Sequence, residues 1–471
     1  MSGLGELDTA FRSVIRRLQE ADRVMRVRSP IDPHLDLPAF VKNRDGNLAI
    51  FFERVEGWEV PVCCNLLASQ ENALVALGVD LHGLRAAVRR AIDHPILPVE
   101  VEKGRCQEVV VMDGIDLGAM FPIPFHMPED SGRFVTGGIV IAKDGAGVRN
   151  ASFHRLQLLG GNRTAVQLDL GRHLRTLYER AEEEDRELEI AVVLGPDLSL
   201  FFAAASMGAH ISLDRDELAW ASGLKGRALE LVKCLTVDLE VPAESEIVLE
   251  GVMLPRERVP EGPFLEFVGL YAAQGPSPVF EIRAVTHRER PIYYDISGSE
   301  VRVIRKPLME PGILSMAKAA VPIVQDVCLT TGGLCRFHLV IQVKKERPAD
   351  EGLQRNAVFA AVAALKDIDL ITLVDEDIDP HNPEEVEWAV ATRFNAENDL
   401  ILFPGARGHE YVPVSRGVRT KMVLDATVPP GELDRYRRVS TPDFDPSVYE
   451  TCVGRPGDPP PSHPVFEDDP P

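Results

Sequence analysis

The sequence contains few cysteines and lacks the short motifs that identify several common enzyme classes. Its 7 cysteines are spread over 471 residues, and only Cys63 and Cys64 are close neighbours. A sparse, odd set without C-x-x-C spacing argues against a disulfide framework and against a zinc ribbon. No P-loop, H-E-x-x-H or G-x-S-x-G sequence occurs, which argues against the usual phosphoryl-transfer, zinc-protease and hydrolase classes.

Long hydrophobic runs and excess positive charge are also missing. The longest apolar stretch, about residues 198–211, is too short to span a bilayer and includes His210. Glu6 and Asp8 occupy positions where a signal peptide would need basic residues and an apolar run. With 51 Lys and Arg against 73 Asp and Glu, the formal net charge is -22, which makes nucleic acid and anionic membranes poor partners. The sequence therefore predicts a cytoplasmic protein of enzyme size.

The length and the changing pattern of apolar residues predict several domains of mixed α/β and β-rich character. Apolar residues make up 45% of the chain, as in ordinary globular proteins, and 471 residues exceed what one core usually serves. An N-terminal α/β domain is predicted over residues 1–108, beginning with an amphipathic helix that includes Phe11 and Leu18. The acidic, proline-rich residues 454–471 are predicted to form a flexible, disordered tail.

The middle and the end of the chain differ in their pattern. Residues 109–306 contain predicted strands at 135–142, 151–158, 246–254 and 279–285, joined by turn residues, which indicates a mostly antiparallel β domain. Residues 307–453 alternate predicted strands with helices, including a helix over 383–393 capped by Asn382. This alternation predicts a second α/β domain with parallel strand pairing.

Two segments carry side chains suited to catalysis. On a strand over residues 149–155, Asn150, Ser152 and His154 share one face, and Arg155 lies on the other. Glu261 and Glu266 flank a Gly-Pro turn, where a loop could direct both carboxylates into a cleft for proton transfer. The alternative is a surface loop that happens to contain two acids.

A third group offers metal ligands. Asn150, His173 and Glu217 supply one nitrogen and two oxygen ligands, a set that suits Mg²⁺ or Mn²⁺ better than a metal that prefers thiolates. The alternative is that His173 is an ordinary structural histidine, because a metal site requires that its ligands converge in space.

Taken in order along the chain, these segments resemble the UbiD family of prenylated-FMN-dependent decarboxylases. The resemblance runs from about Leu7 to Ser447. It includes residues 150–155, Leu170-Gly171-Arg172-His173, Ala205-Ser206-Met207, Glu217, the loop 261–266 and the acidic segment 373–379. The family implies an N-terminal α/β domain, a central flavin-binding split β-barrel and a C-terminal α/β domain used in oligomerisation.

The resemblance also implies a cofactor site and a catalytic network. Prenylated FMN, Mn²⁺ and K⁺ are the implied cofactors, and Asn150, His173 and Glu217 are the implied metal ligands. Arg155, Glu261 and Glu266 match the family's catalytic network, in which Glu266 would return a proton to the carbon that loses CO₂. The residues implied to bind the cofactor are Asn150, Ser152, Phe153, His154, Arg155, Gln157, Arg172, His173, Ser206, Met207 and Glu217.

The implied activity is reversible, non-oxidative decarboxylation, with a flavin prenyltransferase supplying the cofactor to a homodimer or homohexamer. Residues 341–345, 348–352 and 404–409 are similar to the branch that acts on benzoic-type acids such as protocatechuate or gallate, which favours an aromatic or heteroaromatic acid. Two alternatives stay open. One is an enzyme for an α,β-unsaturated aliphatic or acrylic acid, and the other is a cofactor-free assembly subunit.

The sequence departs from the family pattern at two places. Residues 298–307 lack the histidine common in the aromatic-acid branch, and Arg302 or Arg305 could there meet a second anionic or polar group or lie on an exposed basic loop. Asp369 stands where the family has a lysine that reaches the cofactor phosphate, and Lys366 is the nearest replacement. The polar residues that could line the cleft or serve only as ordinary loop polarity are His409, Arg416 and Lys421.

Overall fold

A computed structural model describes residues 5–44, 48–169, 172–206, 211–297, 300–409 and 417–439, with backbone alone for residues 300–303. Met207, Arg416 and the tail over residues 454–471 lie outside the described residues, so the predictions made for them stay predictions. Among the described helices, none is both long enough and apolar enough to cross a membrane.

The helices begin and end close to the positions that capping residues indicate. Asp80 caps the fourth helix of the chain through Gly83 N, and Asn382 caps a later helix through Glu384 N. The helices are α1 Phe11–Glu20, α2 Asp36–Lys42, α3 Gln70–Leu77, α4 Leu81–Asp93, α5 Leu117–Met120, α6 His173–Glu183, α7 Leu198–Ala205, α8 Glu217–Lys225, α9 Glu300–Ala320, α10 Leu353–Ala364, α11 Pro383–Arg393 and α12 Ala396–Asp399.

The strands alternate with these helices at both ends of the chain and cluster in its centre. They are β1 Val24–Val27, β2 Ala49–Phe52, β3 Val62–Cys64, β4 Val99–Glu100, β5 Val109–Val111, β6 Phe134–Val135, β7 Ile139–Lys143, β8 Arg149–Phe153, β9 Leu156–Gly160, β10 Arg163–Val166, β11 Leu188–Leu194, β12 Glu230–Lys233, β13 Glu240–Pro242, β14 Ile247–Glu261, β15 Phe264–Leu265, β16 Tyr271–Ala272, β17 Gly275–His287, β18 Tyr293–Asp295, β19 Val324–Leu329, β20 His338–Val343, β21 Leu370–Asp375, β22 Leu400–Arg407 and β23 Val418–Asp425.

The central region is a curled antiparallel sheet, as the sequence predicts. Its strands follow the order β6-β9-β10-β17-β14-β11-β7-β8, with β5 beside β17. The prediction of one continuous strand over 151–158 is wrong, because β8 ends at Phe153 and a separate strand, β9, begins at Leu156. β8 pairs with β7, whereas β9 pairs with β6 and β10, so the chain crosses to the other end of the sheet between them. This crossing places His154 and Arg155 outside both ladders.

The regions on either side of the central sheet each contribute a sheet of their own. The N-terminal sheet has the order β1-β2-β3-β18, so its last strand comes from residues that follow the central sheet. The C-terminal sheet has the order β19-β20-β21-β23-β22. Parallel pairing is confirmed for β20 with β21 and for β21 with β23, but β19 and β22 lie antiparallel to their neighbours. The connection from β19 to β20 and that from β22 to β23 are each shorter than the roughly twelve residues that a crossover to a parallel strand needs.

Helix α9 crosses the position between residues 306 and 307 at which the pattern of the sequence changes. Its buried residues belong to two cores. Ile304 and Leu308 pack in the core beneath α7 and α8, whereas Met309 and Ile313 pack in the core of the C-terminal sheet. The helix therefore joins the two cores, and the domain boundaries remain a prediction.

A network of buried and partly buried charges joins the N-terminal region to the C-terminal sheet. Arg85 on α4 donates to Glu310 on α9 at 3.1 Å, and His381 lies 3.0 Å from Asp326 on β19. The ligand atoms of Glu310, Cys328 and His381 lie within 4.8 Å of one another, but Arg85 and Lys306 already supply positive charge to them. The described contacts thus indicate an ion-pair network, because a metal ion would compete with these cations.

Because of this network, we expect the free energy of unfolding to depend on pH in the alkaline range. Hydrogen bonding to Asp326, and then to Cys328, raises the pKa of His381 to about 10. Because the pKa is raised in the folded state, the stabilisation is complete below the unfolded value of about 6.5 and is lost as pH rises toward 10. We expect the Tm of the wild type to fall between pH 7 and pH 9.5 relative to that of His381→Asn. Parallel Tm curves for the two proteins would contradict this assignment.

Candidate functional site

A cavity of about 610 Å³ lies between the central sheet and the C-terminal region. The central sheet contributes residues 150–155, the hairpin of β15 and β16 contributes residues 264–267, and the C-terminal region contributes residues 363–367. Residues from α9 and the start of α6 complete the wall. The segments that the sequence singles out separately therefore meet around one cavity.

The three predicted metal ligands come together at one end of this cavity. Asn150 Nδ2 lies 2.9 Å from Glu217 Oε1, and His173 Nδ1 lies 3.3 Å from the same oxygen. His173 is the first residue of α6 and Glu217 is the first residue of α8, so both side chains start from helix N-termini. Burial raises the pKa of Glu217 above its usual value, and the interactions with His173 and Asn150 offset this desolvation only in part.

The group fits a hard divalent cation. It combines amide, imidazole and carboxylate donor groups within hydrogen-bonding distance of one another, and an added cation would compensate the buried charge of Glu217. The local sequence explains why these residues meet. Asp216 caps α8 through Leu218 N at 2.8 Å, and Arg149 on β8 donates to that same carboxylate at 2.9 Å. This contact anchors the start of α8 beside Asn150.

The polar face of β8 continues from this group along the cavity wall. Ser152 Oγ lies 3.2 Å from Asn150 Oδ1 and 3.0 Å from His154 Nε2, as expected for residues on one strand face. His154 Nδ1 lies 2.8 Å from the carbonyl oxygen of Gln167. Burial lowers the pKa of His154, which favours a neutral ring that donates from Nδ1 and accepts at Nε2.

Arg155 brings the two predicted catalytic acids together. Its Nε donates to Glu261 Oε1 at 2.7 Å, its Nη2 donates to Glu261 Oε2 at 3.0 Å, and its Nη1 donates to Glu266 Oε1. Glu261 is 1% exposed and lies behind the arginine, whereas Arg155 and Glu266 line the cavity. The bidentate pair fixes the guanidinium plane. Because Glu261 is buried behind the arginine, Glu266 is the carboxylate that a bound ligand can reach.

A loop that the sequence does not mark as functional holds Glu266 in position. Asp130 accepts from Met127 N at 2.8 Å and from Leu265 N at 3.1 Å, joining the two loops. Gly262 has a φ of +82°, a left-handed conformation that favours glycine and turns the chain between the acids. Asp130 lies more than a hundred residues before Leu265, so no local pattern could have indicated this contact.

Most of the predicted cofactor-binding residues line the cavity, but Gln157 does not. Its Oε1 accepts from Gly262 N at 3.0 Å and its Nε2 donates to Ser131 O at 3.4 Å, so its side chain supports the loop of Glu266. Gln157 lies on β9, beyond the crossing that separates this strand from β8. The other predicted residues that line the cavity are Asn150, Ser152, Phe153, His154, Arg155, Arg172, His173, Ser206 and Glu217.

Asp369 departs from the family pattern described above, and neighbouring cations neutralise its carboxylate. Asp369 pairs with Arg419 at 2.6 Å and with Lys421 at 2.8 Å, so its carboxylate is engaged in the C-terminal sheet. Lys366 instead lines the cavity. Lys421 is also engaged away from the cavity, and His409 packs with its ring edge-on against Phe267 and Phe337. Lys366 is therefore the lysine available to a ligand at this wall.

Three cavity residues around position 267 were not identified from the sequence. Phe267, Arg336 and Asp367 all line the wall next to Glu266. Arg336 Nε donates to Asp367 Oδ2 at 2.8 Å, and both side chains are almost fully buried. A buried arginine that is paired with an acid 31 residues away leaves no periodic signal in the sequence.

Three family models of one description together match most of residues 15–426. The family model described as the 3-octaprenyl-4-hydroxybenzoate carboxy-lyase N-terminal domain matches residues 15–91. The Rift-related and C-terminal domains of the same description match residues 98–300 and 302–426. Anhydromevalonate phosphate decarboxylase of Methanothermobacter thermautotrophicus is 33% identical over 428 residues, which cover 89% of this chain and 97% of that protein.

Solved structures share the fold. The UbiD-class enzyme HmfF from Pelotomaculum thermopropionicum, solved in complex with FMN, has a TM-score of 0.85 at 40% identity and covers 92% of this chain and 97% of its own. An evolved dimeric form of that enzyme, solved in complex with prFMN, has a TM-score of 0.84 at 37% identity with the same coverage. The apo 3,4-dihydroxybenzoic acid decarboxylase of Klebsiella pneumoniae has a TM-score of 0.84 at 28% identity and covers 94% of this chain and 99% of its own.

Proposed function

Because the chain belongs to the UbiD family of carboxy-lyases, we propose that it catalyses the reversible, non-oxidative decarboxylation of an aromatic or heteroaromatic carboxylic acid with prenylated FMN. The observation that carries this proposal is Arg155, which Glu261 holds from behind and which contacts Glu266 at the cavity wall. That arrangement supplies an anion-binding group next to an acid, and decarboxylation requires both.

The cofactor fits the polar end of the cavity. Asn150, His173 and Glu217 would hold a divalent cation, which we propose to be Mn²⁺, against the cofactor phosphate, together with K⁺. Lys366 lines the same cavity and could meet the phosphate in place of the family lysine. When bound, prenylated FMN would supply an electron sink for the pair left by the departing CO₂.

The chain's own residues would orient the acid and manage one proton. Arg155 binds the substrate carboxylate, and Glu261 keeps the guanidinium from turning because it accepts two of its N–H groups. As the C–C bond to the carboxylate breaks and CO₂ leaves, protonated Glu266 gives its proton to the same carbon. In the carboxylation direction Glu266 takes that proton back. The balanced reaction converts RCO₂⁻ and H⁺ into RH and CO₂, and it is reversible.

A second candidate is decarboxylation of an α,β-unsaturated aliphatic acid. The observation that favours it is the 33% identity to anhydromevalonate phosphate decarboxylase, a relative named for an aliphatic phosphorylated substrate. Phe264 and Phe267 at the cavity wall favour the aromatic acid instead, since flat rings pack on such side chains. The paired Arg155, Glu261 and Glu266 argue against the alternative of a cofactor-free assembly subunit.

For the oligomeric state, we propose a homodimer or homohexamer.

Expression with and without a flavin prenyltransferase tests the proposal. We expect denatured protein to release prenylated FMN, identified by mass and absorbance, only when the prenyltransferase is present and Mn²⁺ and K⁺ are supplied. The loaded enzyme should then decarboxylate members of an aromatic and heteroaromatic acid panel. Protein that binds no flavin under either condition would overturn the proposal and favour the assembly subunit.

A further inference from the structure

A second cavity, of about 160 Å³, shares a wall with the cavity that contains Arg155. We call the smaller space the side cavity and the larger one the main cavity. Ala364 and Leu365, at the C-terminal end of α10, line both of them. Residues of α4 and α9 supply the rest of the lining of the side cavity. Ala364 and Leu365 therefore form a partition between the two spaces.

The sequence of α9 explains why helices α4 and α9 leave this space between them. Pro311 lies inside α9, where it lacks the backbone N–H that a regular helix uses, and it lines the side cavity. Gly312, which also lines the cavity, has no side chain to fill the gap. Arg85 on α4 donates to Glu310 on α9 at 3.1 Å. The two helices are thus held together beside Pro311 without filling the space next to it.

The inner part of the side cavity is apolar, and its charged residues lie at the surface. Met309, Ile313 and Leu365 are buried and line the inner part. Arg89 and Asp93 are exposed, and Arg89 Nε donates to Asp93 Oδ2 at 3.2 Å, so the two charges neutralise each other. Apolar cavities of about 150 Å³ exclude water and bind small apolar molecules. Moving an ion into such a space costs desolvation free energy, so the side cavity selects against carboxylate anions.

The proposed reaction supplies one molecule that suits the side cavity. CO₂ is small, uncharged and without a dipole moment, whereas the acid is an anion that Arg155 holds in the main cavity. The cofactor and the decarboxylated product would still occupy the main cavity when CO₂ forms there. Leu365 in the partition lies two residues before Asp367, which lines the wall next to Glu266. The partition therefore belongs to the same wall of the main cavity as the reacting groups.

We propose that the side cavity binds CO₂ and conducts it between the main cavity and solvent while the decarboxylated product remains bound. The inference rests on the proposed function, because it requires that CO₂ is formed or consumed in the main cavity. CO₂ crosses the partition at Leu365, whose side chain can change rotamer without breaking a hydrogen bond. No covalent bond forms or breaks in the side cavity.

Xenon tests the cavity without depending on turnover, because it is an apolar atom that binds in cavities of this kind. In crystals of the flavin-loaded enzyme under xenon pressure, we expect anomalous density between Ile313 and Leu365. Ser315 is exposed on α9 and lines the side cavity, so Ser315→Trp should fill the space and abolish the xenon site. Ala319→Trp is the matched control, because Ala319 is exposed on the same helix outside the lining, and it should keep the xenon.

Isotope exchange tests the passage of CO₂ in the flavin-loaded enzyme, with an acid of the panel that the wild type decarboxylates. Exchange of ¹³CO₂ into the carboxylate requires CO₂ to enter and leave, whereas C–H exchange of the product in D₂O does not involve CO₂. We expect Ser315→Trp to slow ¹³CO₂ exchange about tenfold, or about 1.4 kcal/mol of added barrier, and to leave C–H exchange unchanged. Ala319→Trp should change neither rate, and Met316→Ala, which widens the exposed end, should keep or raise ¹³CO₂ exchange.

The outcomes distinguish this inference from the proposed function. Absence of xenon from the wild-type side cavity, or unchanged ¹³CO₂ exchange in Ser315→Trp, would overturn the CO₂ passage and leave the proposed function in place. An equal loss of both exchange reactions would also overturn the passage, because Ser315 would then act on the active site as a whole. A flavin-loaded wild type that exchanges neither ¹³CO₂ nor C–H with any acid of the panel would overturn the proposed function, and the passage with it, even if xenon binds.

Discussion

Glu266→Gln will retain its flavin but lose turnover by about a thousandfold, the range expected when a positioned general acid is removed. Glutamine matches glutamate in size, and its carbonyl oxygen can still accept the hydrogen bond from Arg155 Nη1. It cannot deliver or remove a proton at neutral pH. The variant should therefore keep the cavity and its ligand affinity while losing only the proton transfer.

Two measurements check this prediction. Steady-state decarboxylation gives the loss in kcat, and exchange of the product C–H bond in D₂O follows proton transfer itself. Glu257→Gln is a matched control because it makes the same change at a surface position on β14 that pairs with Arg163. Wild-type exchange in Glu266→Gln would contradict the role of Glu266 and point to another acid in the cavity.

We expect His173→Ala to lose the proposed divalent metal and, with it, most of its flavin. His173 supplies the only nitrogen donor group among the three predicted ligands, and its Nδ1 lies 3.3 Å from Glu217 Oε1. Removing even an outer-shell partner of a metal costs about 10–100-fold in affinity, so loss of a direct ligand should cost at least about 100-fold. Without the cation, the buried Glu217 would face the cofactor phosphate with its charge uncompensated.

Elemental analysis and flavin absorbance measure this loss on protein co-expressed with the prenyltransferase. His82→Ala is a suitable control because His82 is exposed on α4, away from the cavity. The Tm of ligand-free His173→Ala should stay close to that of the wild type, since the His173 side chain is 29% exposed. Unchanged flavin content in the variant would remove His173 from the metal site.

Local patterns determined the elements that the sequence predicts well. Helix α11 begins at Pro383 and ends at Arg393, as predicted, because the Asn382 cap and the proline at the first turn act over neighbouring residues. The strand predicted over 151–158 was less accurate. Alternation of polar and apolar residues reports which face a side chain occupies, and it continues unchanged where the chain leaves one ladder for another at His154 and Arg155.

Strand direction in the C-terminal sheet shows the same limit. Alternating helices and strands predicted parallel pairing, which holds for β20, β21 and β23. The edge strands β19 and β22 run antiparallel to β20 and β23, and the connections that join these pairs are shorter than the roughly twelve residues that a parallel crossover needs. The path of a connection depends on which surface remains free to receive it, and a single strand's composition does not contain that information.

The sequence by itself determined the chemistry that this protein carries: Asn150, His173 and Glu217 as potential ligands, and Arg155, Glu261 and Glu266 as an ordered set that resembles one family. Only the tertiary structure decided that Gln157 supports a loop while Lys366 faces the cavity. It also decided that Arg305 and Arg336 share one Phe267 ring. The sequence specifies the chemical identity of each side chain directly, whereas burial and unpaired charge arise only when distant segments pack together and exclude water.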